Sequence, residues 1–207
     1  MKHDGNLGYK GVVTPLQKVM LARRSFRKYL EGLPTAEQLD GLASVSREFC
    51  RTMGFDAPRM IFVTDPAGYK KVMSAACAGV IGKGNPWLPL AKSRIMIVAA
   101  CDTRKAPVAA DRVLAVAQAA MTLETVVLAA AEMGLATCWM AGINSAEVEK
   151  ALGLPPGEQV IAISPLGLPP EGVKLLSWDG MAYHIFSKRR KQLSEIFFEE
   201  EMPNELA

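Results

Sequence analysis

Arg23, Arg24, Ser25 and Arg27 are the first residues in this chain whose types and spacing could do chemistry. Guanidinium groups offer planar donor forks that match phosphate oxygens, and a serine hydroxyl adds a short hydrogen bond. The same run also reads as a solvated basic face at a helix end, where cations suit the helix dipole. A second knot, Lys188-Arg189-Arg190-Lys191, carries the same two readings. Although the clusters sit near opposite ends of the chain, both could meet on one phosphate. Asn85, between Gly84 and Pro86, has an amide that either bonds a ring edge or completes a turn. Trp139 and Met140 read as core or as a platform for a flat ligand. The small pair Ala141-Gly142 follows them, leaving backbone N–H groups able to face such a ligand.

The chain holds no Ser/His/Asp set, paired carboxylates or HExxH motif. Gly82-Lys83-Gly84 runs into Asn-Pro and so fails the dinucleotide and P-loop patterns. An enzyme without a nucleophile or acid–base pair can leave its chemistry to a cofactor. His184 has no evident partner. Cys50, Cys77, Cys101 and Cys138 are scattered, which points to neither a zinc site nor a disulfide framework and fits a reducing cytoplasm.

Composition bounds the rest. The 207 residues are 50% hydrophobic, enough for one globular domain with an ample core. A net charge of +3, with no basic stripe interleaved with aromatics, argues against a nucleic-acid partner. The first residues, MKHDGNLGYKGVV, lack the apolar run of a secretory signal.

These candidate groups need elements to position them. The central one is the stretch 111–144. Between Val113 and Met133 its only charges are Glu124 and Glu132, so it reads as a buried helix. Glu124 and Gln118 in its middle argue against a membrane span. Gly134 ends it, and a buried strand is expected from Leu135 to Ile143. Upstream, the pattern predicts a helix within 14–30 that breaks at Arg23, a helix at 36–50 opened by Thr35 and Gln38, and a strand at 59–64. A helix follows from Asp65-Pro66 to about residue 78, then a loop at 79–89 and a buried strand at 94–100. Ser145 is expected to cap a short helix ended by Gly153, before a last core strand at 159–165. Alternating strands and helices predict a layered α/β arrangement.

With these residues in view, the chain resembles the FMN-dependent nitroreductase family along most of its length. RRSFRKYL at 23–30 is similar to the N-terminal signature that holds the flavin phosphate and pyrimidine edge. LAAAEMGLATCWMAGI at 128–143 resembles the central helix and following strand, and SKRRKQLSEIF at 187–197 the C-terminal basic motif. The resemblance implies an α+β, three-layer α/β/α fold: a mostly antiparallel central sheet flanked by helices, with the long buried helix at a dimer interface. It implies one domain over 1–207, with the arm from about 187 to 207 exchanged between the subunits of a homodimer. It assigns FMN binding to Arg23, Arg24, Ser25, Arg27, Asn85, Trp139, Met140, Ala141, Gly142, Lys188 and Arg190, the backbone of Ala141 and Gly142 facing flavin N5. NADH or NADPH would reduce the flavin, and a nitro-aromatic, quinone or similar electron-poor small molecule would take the electrons in a ping-pong cycle. The rival from another class is a non-catalytic flavin-binding or ligand-sensing protein on the same scaffold. No metal and no membrane partner is expected, and the location expected is cytoplasmic.

Three places depart from the family pattern. Phe55-Asp56-Ala57-Pro58-Arg59 keeps only the proline of an Asn-x-Gln-Pro-Trp stretch. Leu88 stands where a basic residue often follows the amide. The link from Cys101 to Asp111 is much shorter than in members with a helical lid.

Overall fold

Thr14 and Thr35 each open a helix by the same reciprocal bonding. Thr35 Oγ1 accepts from Gln38 N (3.1 Å) while Gln38 Oε1 accepts from Thr35 N (2.9 Å). Thr14 and Gln17 repeat the pattern at 3.2 and 2.8 Å. The helices so begun are α1 (Pro15–Ala22) and α2 (Ala36–Met53). Gln38 does more than cap: its Nε2 donates to Met133 O (3.2 Å), just past the end of the long helix described below. These observations come from a computed structural model that describes residues 14–85, 88, 93–105 and 111–170. Lys188, Arg190, His184 and the arm at 187–207 lie outside the described residues.

The remaining elements are β1 (Pro58–Val63), α3 (Pro66–Ala76), α4 (Gly79–Lys83), β2 (Ile95–Asp102), α5 (Asp111–Glu132), β3 (Ala136–Thr137), α6 (Ser145–Leu152) and β4 (Glu158–Gly167). Among the described residues, four strands form one sheet in the order β1-β2-β4-β3, with every neighbouring pair antiparallel. All eight residues of β2 are buried, because both faces are covered. Its period-2 alternation divides the core in two. Met96, Val98 and Ala100 join Val72 and Ala76 of α3 and Val148 of α6 on one face. Ile95, Ile97 and Ala99 meet Leu42 of α2 and Leu123, Val126, Val127 and Ala130 of α5 on the other. The result is the helix–sheet–helix sandwich of an α+β protein.

α5 carries the expected apolar surface. By length and composition Leu114–Glu132 would pass for a membrane span, and 44% of that window is buried inside the chain. Its buried positions, Ala115, Gln118, Ala119, Thr122, Leu123, Val126, Val127 and Ala130, form a stripe at helical spacing. Val116 and Met121 on another side of α5 stay 38% and 41% exposed, as do Leu16 and Met20 of α1 at 61% and 53%.

The structure corrects three sequence expectations. The predicted loop at 79–89 begins with the helical turn α4. This turn exists because Gly82 lets the chain fold back: a Cβ there would collide with Ala76 O and the Cys77 backbone. The predicted strand at 135–143 is a two-residue pairing plus an isolated bridge from Met140 to Ile163. Continuing the β3–β4 register would place Cys138 opposite Pro165, which has no N–H to donate, and Cys138 N bonds the Ser164 hydroxyl instead (3.3 Å). Finally, Asn144 rather than Ser145 caps α6, its side chain accepting from Glu147 N (3.3 Å).

Candidate cofactor site

The segment after α1 runs extended along the β3 edge. Arg23 closes the helix through its N–H to Val19 O (2.9 Å). Ser25 then makes a parallel bridge with Thr137, and Phe26 N donates to Thr137 O (2.8 Å). Leu30 N reaches Leu168 O (3.0 Å), and the Tyr29 hydroxyl donates to Phe26 O (2.7 Å). Gly167 makes room for that tyrosine, since a Cβ would come within 2.9 Å of its ring. Backbone bonds at Ser25, Phe26 and Leu30, with the Tyr29 hydroxyl, therefore hold the cations of RRSFRKYL in register. Arg24 is exposed, while Ser25 and Arg27 are half-buried. Arg23 lies 4.0 Å from Glu124 of α5, a loose ion pair.

Farther along the same edge, Met140 exchanges both backbone bonds with Ile163 (2.9 Å each) and buries its side chain in the core. Trp139 packs against the α2–α5 side of that core. Both side chains are thus committed to packing, and Ala141 and Gly142 emerge exposed. The turn they form is held from several directions. Ile143 N donates to Ala141 O (2.9 Å), Asn144 N to Ala76 O (3.1 Å) and Asn144 Nδ2 to Ala78 O (3.2 Å). Asn85 Nδ2 donates to Gly142 O (2.9 Å). Among the described residues nothing accepts from the N–H groups of Ala141 and Gly142.

Gly142 lies five positions beyond Thr137, which sits beside Ser25, a span of about 18 Å at most. A cationic segment and a pair of open peptide donors thus share one edge. That arrangement fits a ligand with an anionic end and a hydrogen-bonding planar end, as FMN is. Lys188 and Arg190 lie outside the described residues, so this fit rests on the N-terminal cluster, Asn85 and the 141–142 turn.

Other candidate positions have different roles. Leu88 is fully buried in the core cluster beneath α3 and α6, so it offers no exposed position for a cation. Phe55, Asp56 and Arg59 line a cavity of about 380 Å³ with Ser46, Arg47 and Cys50 of α2. The sheet order puts β1 at the edge opposite β3, so this cavity is separate from the 141–142 turn. Arg51, at the end of α2, is held by Glu48 at 2.8 Å. Sequence reasoning missed Asn144, whose side chain caps α6 and also ties it to the α3–α4 corner. Gly79 carries the complementary signal: it sits at φ +68°, and a Cβ there would come within 2.9 Å of Asn144 Nδ2.

The nitroreductase family model matches residues 20–168, and the chain belongs to that family. Solved structures share the fold. B. megaterium NfrA2 superposes with a TM-score of 0.68 at 19% identity, over 93% of this chain and 77% of that one. A nitroreductase family protein (cd3355) from Clostridium difficile 630 gives 0.66 at 21% identity, covering 89% and 97%. An FMN-dependent nitroreductase from Clostridium difficile R20291 gives 0.60 at 20% identity, covering 84% and 97%. No curated protein matches the sequence.

Proposed function

We propose that the chain binds FMN along the β3 edge and works as an NAD(P)H-dependent oxidoreductase on nitro-aromatic, quinone or similar electron-poor small molecules. The observation that carries this reading is the pair of open N–H groups at Ala141 and Gly142, on the edge that also holds Arg23, Arg24, Ser25 and Arg27. Bound FMN supplies two-electron redox chemistry, alternating between a pyridine nucleotide and the acceptor in a ping-pong exchange. The guanidinium groups and the Ser25 hydroxyl would meet the phosphate. The Ala141–Gly142 backbone receives the ring edge at N5. Trp139 and Met140, packed into the core, would hold that backbone in place for the ring.

The working unit in this proposal is a cytoplasmic homodimer of one-domain subunits spanning 1–207, the arm at 187–207 crossing to the partner. The exposed apolar residues Leu16, Met20, Val116 and Met121 supply the contact surface on α1 and α5. The burial of Leu88 favours a second reading, flavin binding without turnover, because a cation at that position would have balanced charge on the ring's carbonyl edge. Purified protein should be yellow or take up added FMN, and a colourless protein that takes up none overturns the proposal. Anaerobic mixing with NADH and with NADPH then separates the two readings: bound flavin that neither donor bleaches is the signature of the non-catalytic binder.

A further inference from the structure

The 141–143 turn connects its peptide groups in series. Asn85 Nδ2 donates to the carbonyl of Gly142 (2.9 Å). That carbonyl belongs to the same peptide unit as the N–H of Ile143, which donates to Ala141 O (2.9 Å). The Ala141 carbonyl in turn shares its peptide with the N–H of Gly142, which has no acceptor among the described residues. Each bond accepted by a carbonyl polarises the N–H across its own amide, strengthening the next bond by roughly 10–30%. The neighbouring open donor is supplied differently. The N–H of Ala141 shares its peptide with Met140 O, which accepts from Ile163 N in the sheet (2.9 Å).

We propose that Asn85 is a positioning residue that strengthens the Gly142 N–H as a donor to flavin N5 through this chain of two peptide units. The inference rests on the FMN reading above and deepens it, because it chooses between the two backbone donors and gives Asn85 a task other than touching the ring. It also explains a local constraint. Gly142 lies so close to the amide that a Cβ would stand 3.2 Å from Asn85 Nδ2, so a larger residue at 142 would press on the donor.

The test follows the backbone amide resonances of the full-length, 15N-labelled chain without FMN. Asn85→Leu and Asn85→Asp both remove the donor. In each, the Gly142 amide proton should move upfield, while the Ala141 amide, polarised from the sheet, stays in place. Asn144→Asp provides the control for a merely structural role: it keeps a capping side chain yet loses the amide donor to Ala78 O, so it loosens the turn without cutting the chain. It should leave the Gly142 resonance largely unmoved. With FMN bound, the flavin N5 resonance of 15N-labelled cofactor should shift in the direction of a weaker hydrogen bond in the Asn85 variants, with oxidised FMN held about two- to tenfold less tightly. An unmoved Gly142 amide in both Asn85 variants overturns the inference. So does an equal displacement of Ala141 and Gly142, or an Asn144→Asp variant that reproduces the effect. A wild-type chain that takes up no FMN defeats the functional proposal alone, since the amide shifts are read without cofactor.

Discussion

At the end of the sheet where β1 and β4 begin and β2 finishes, charges are closely matched. Arg59 Nη1 donates to Asp56 O and Pro58 O (2.9 Å each), and its Nε lies 3.4 Å from Glu158. Arg104 grips both oxygens of Asp102 at 2.8 and 2.9 Å, pulling that carboxyl from its ordinary 3.8 down to about 2. The β3 edge is different: among the described residues Arg23 has only a 4.0 Å approach to Glu124, Arg24 is exposed, and nothing accepts from the N–H groups of Ala141 and Gly142. Both regions are rich in arginine. What separates them is whether the chain itself neutralises the charge and satisfies the backbone. Donors satisfied internally hold the fold, whereas donors left open are available to a ligand.

The largest expected effect tests where the open edge stops and the core begins. Leu88→Lys should cost about 3 kcal/mol or more in denaturant unfolding, since it buries an unpaired charge. A variant as stable as the parent would make residue 88 part of the open edge. Next comes a matched pair of arginine deletions. Arg23→Ala should weaken FMN binding by about 1.5–3 kcal/mol in a fluorescence titration with little change in stability. Arg59→Ala should lower stability by about 1–3 kcal/mol and leave FMN affinity unchanged. Reversed outcomes would break the contrast between the two regions.

A smaller effect concerns acid. Because the folded-state value of Asp102 lies below its unfolded one, its contribution is complete above about pH 4 and is lost as pH falls toward 2. Acid unfolding of Asp102→Asn should be correspondingly flatter in that window. The smallest effect is that of Glu124→Gln, which removes a half-exposed ion pair and should change stability by less than about 0.5 kcal/mol. FMN affinity should hold or rise, because Arg23 is then relieved of a competing carboxylate.

Much of the scaffold could be read from one dimension. The Thr-x-x-Gln caps, the continuous apolar run of β2 and the thin apolar surface of α5 are local signals that follow directly from hydrogen bonding and periodicity. The unreadable parts depend on partners distant in sequence. Pro165 was visible, but its interruption of the strand after Thr137 requires knowing that it would face Cys138. Asn144 and Ser145 are both good caps, and a bond to Ala78 O, 66 residues away, accompanies the choice of Asn144. That Leu88, which stands where relatives often carry a basic residue, is a core residue could not be read from one position within a loop. The basic run at 23–27 and the small pair Ala141-Gly142 are visible in the sequence, but the pair is expected to close a strand and lies in a turn instead; the bond from Asn85 to Gly142 spans 57 residues and leaves no local signal.

Gln38 touches two helices with the two ends of one amide: its oxygen closes the first turn of α2, and its nitrogen holds the carbonyl just beyond α5. Fraying at either terminus must therefore break a bond belonging to the other. Hydrogen–deuterium exchange at the opening of α2 and at the close of α5 should proceed in step, two stretches almost a hundred residues apart behaving as one cooperative latch.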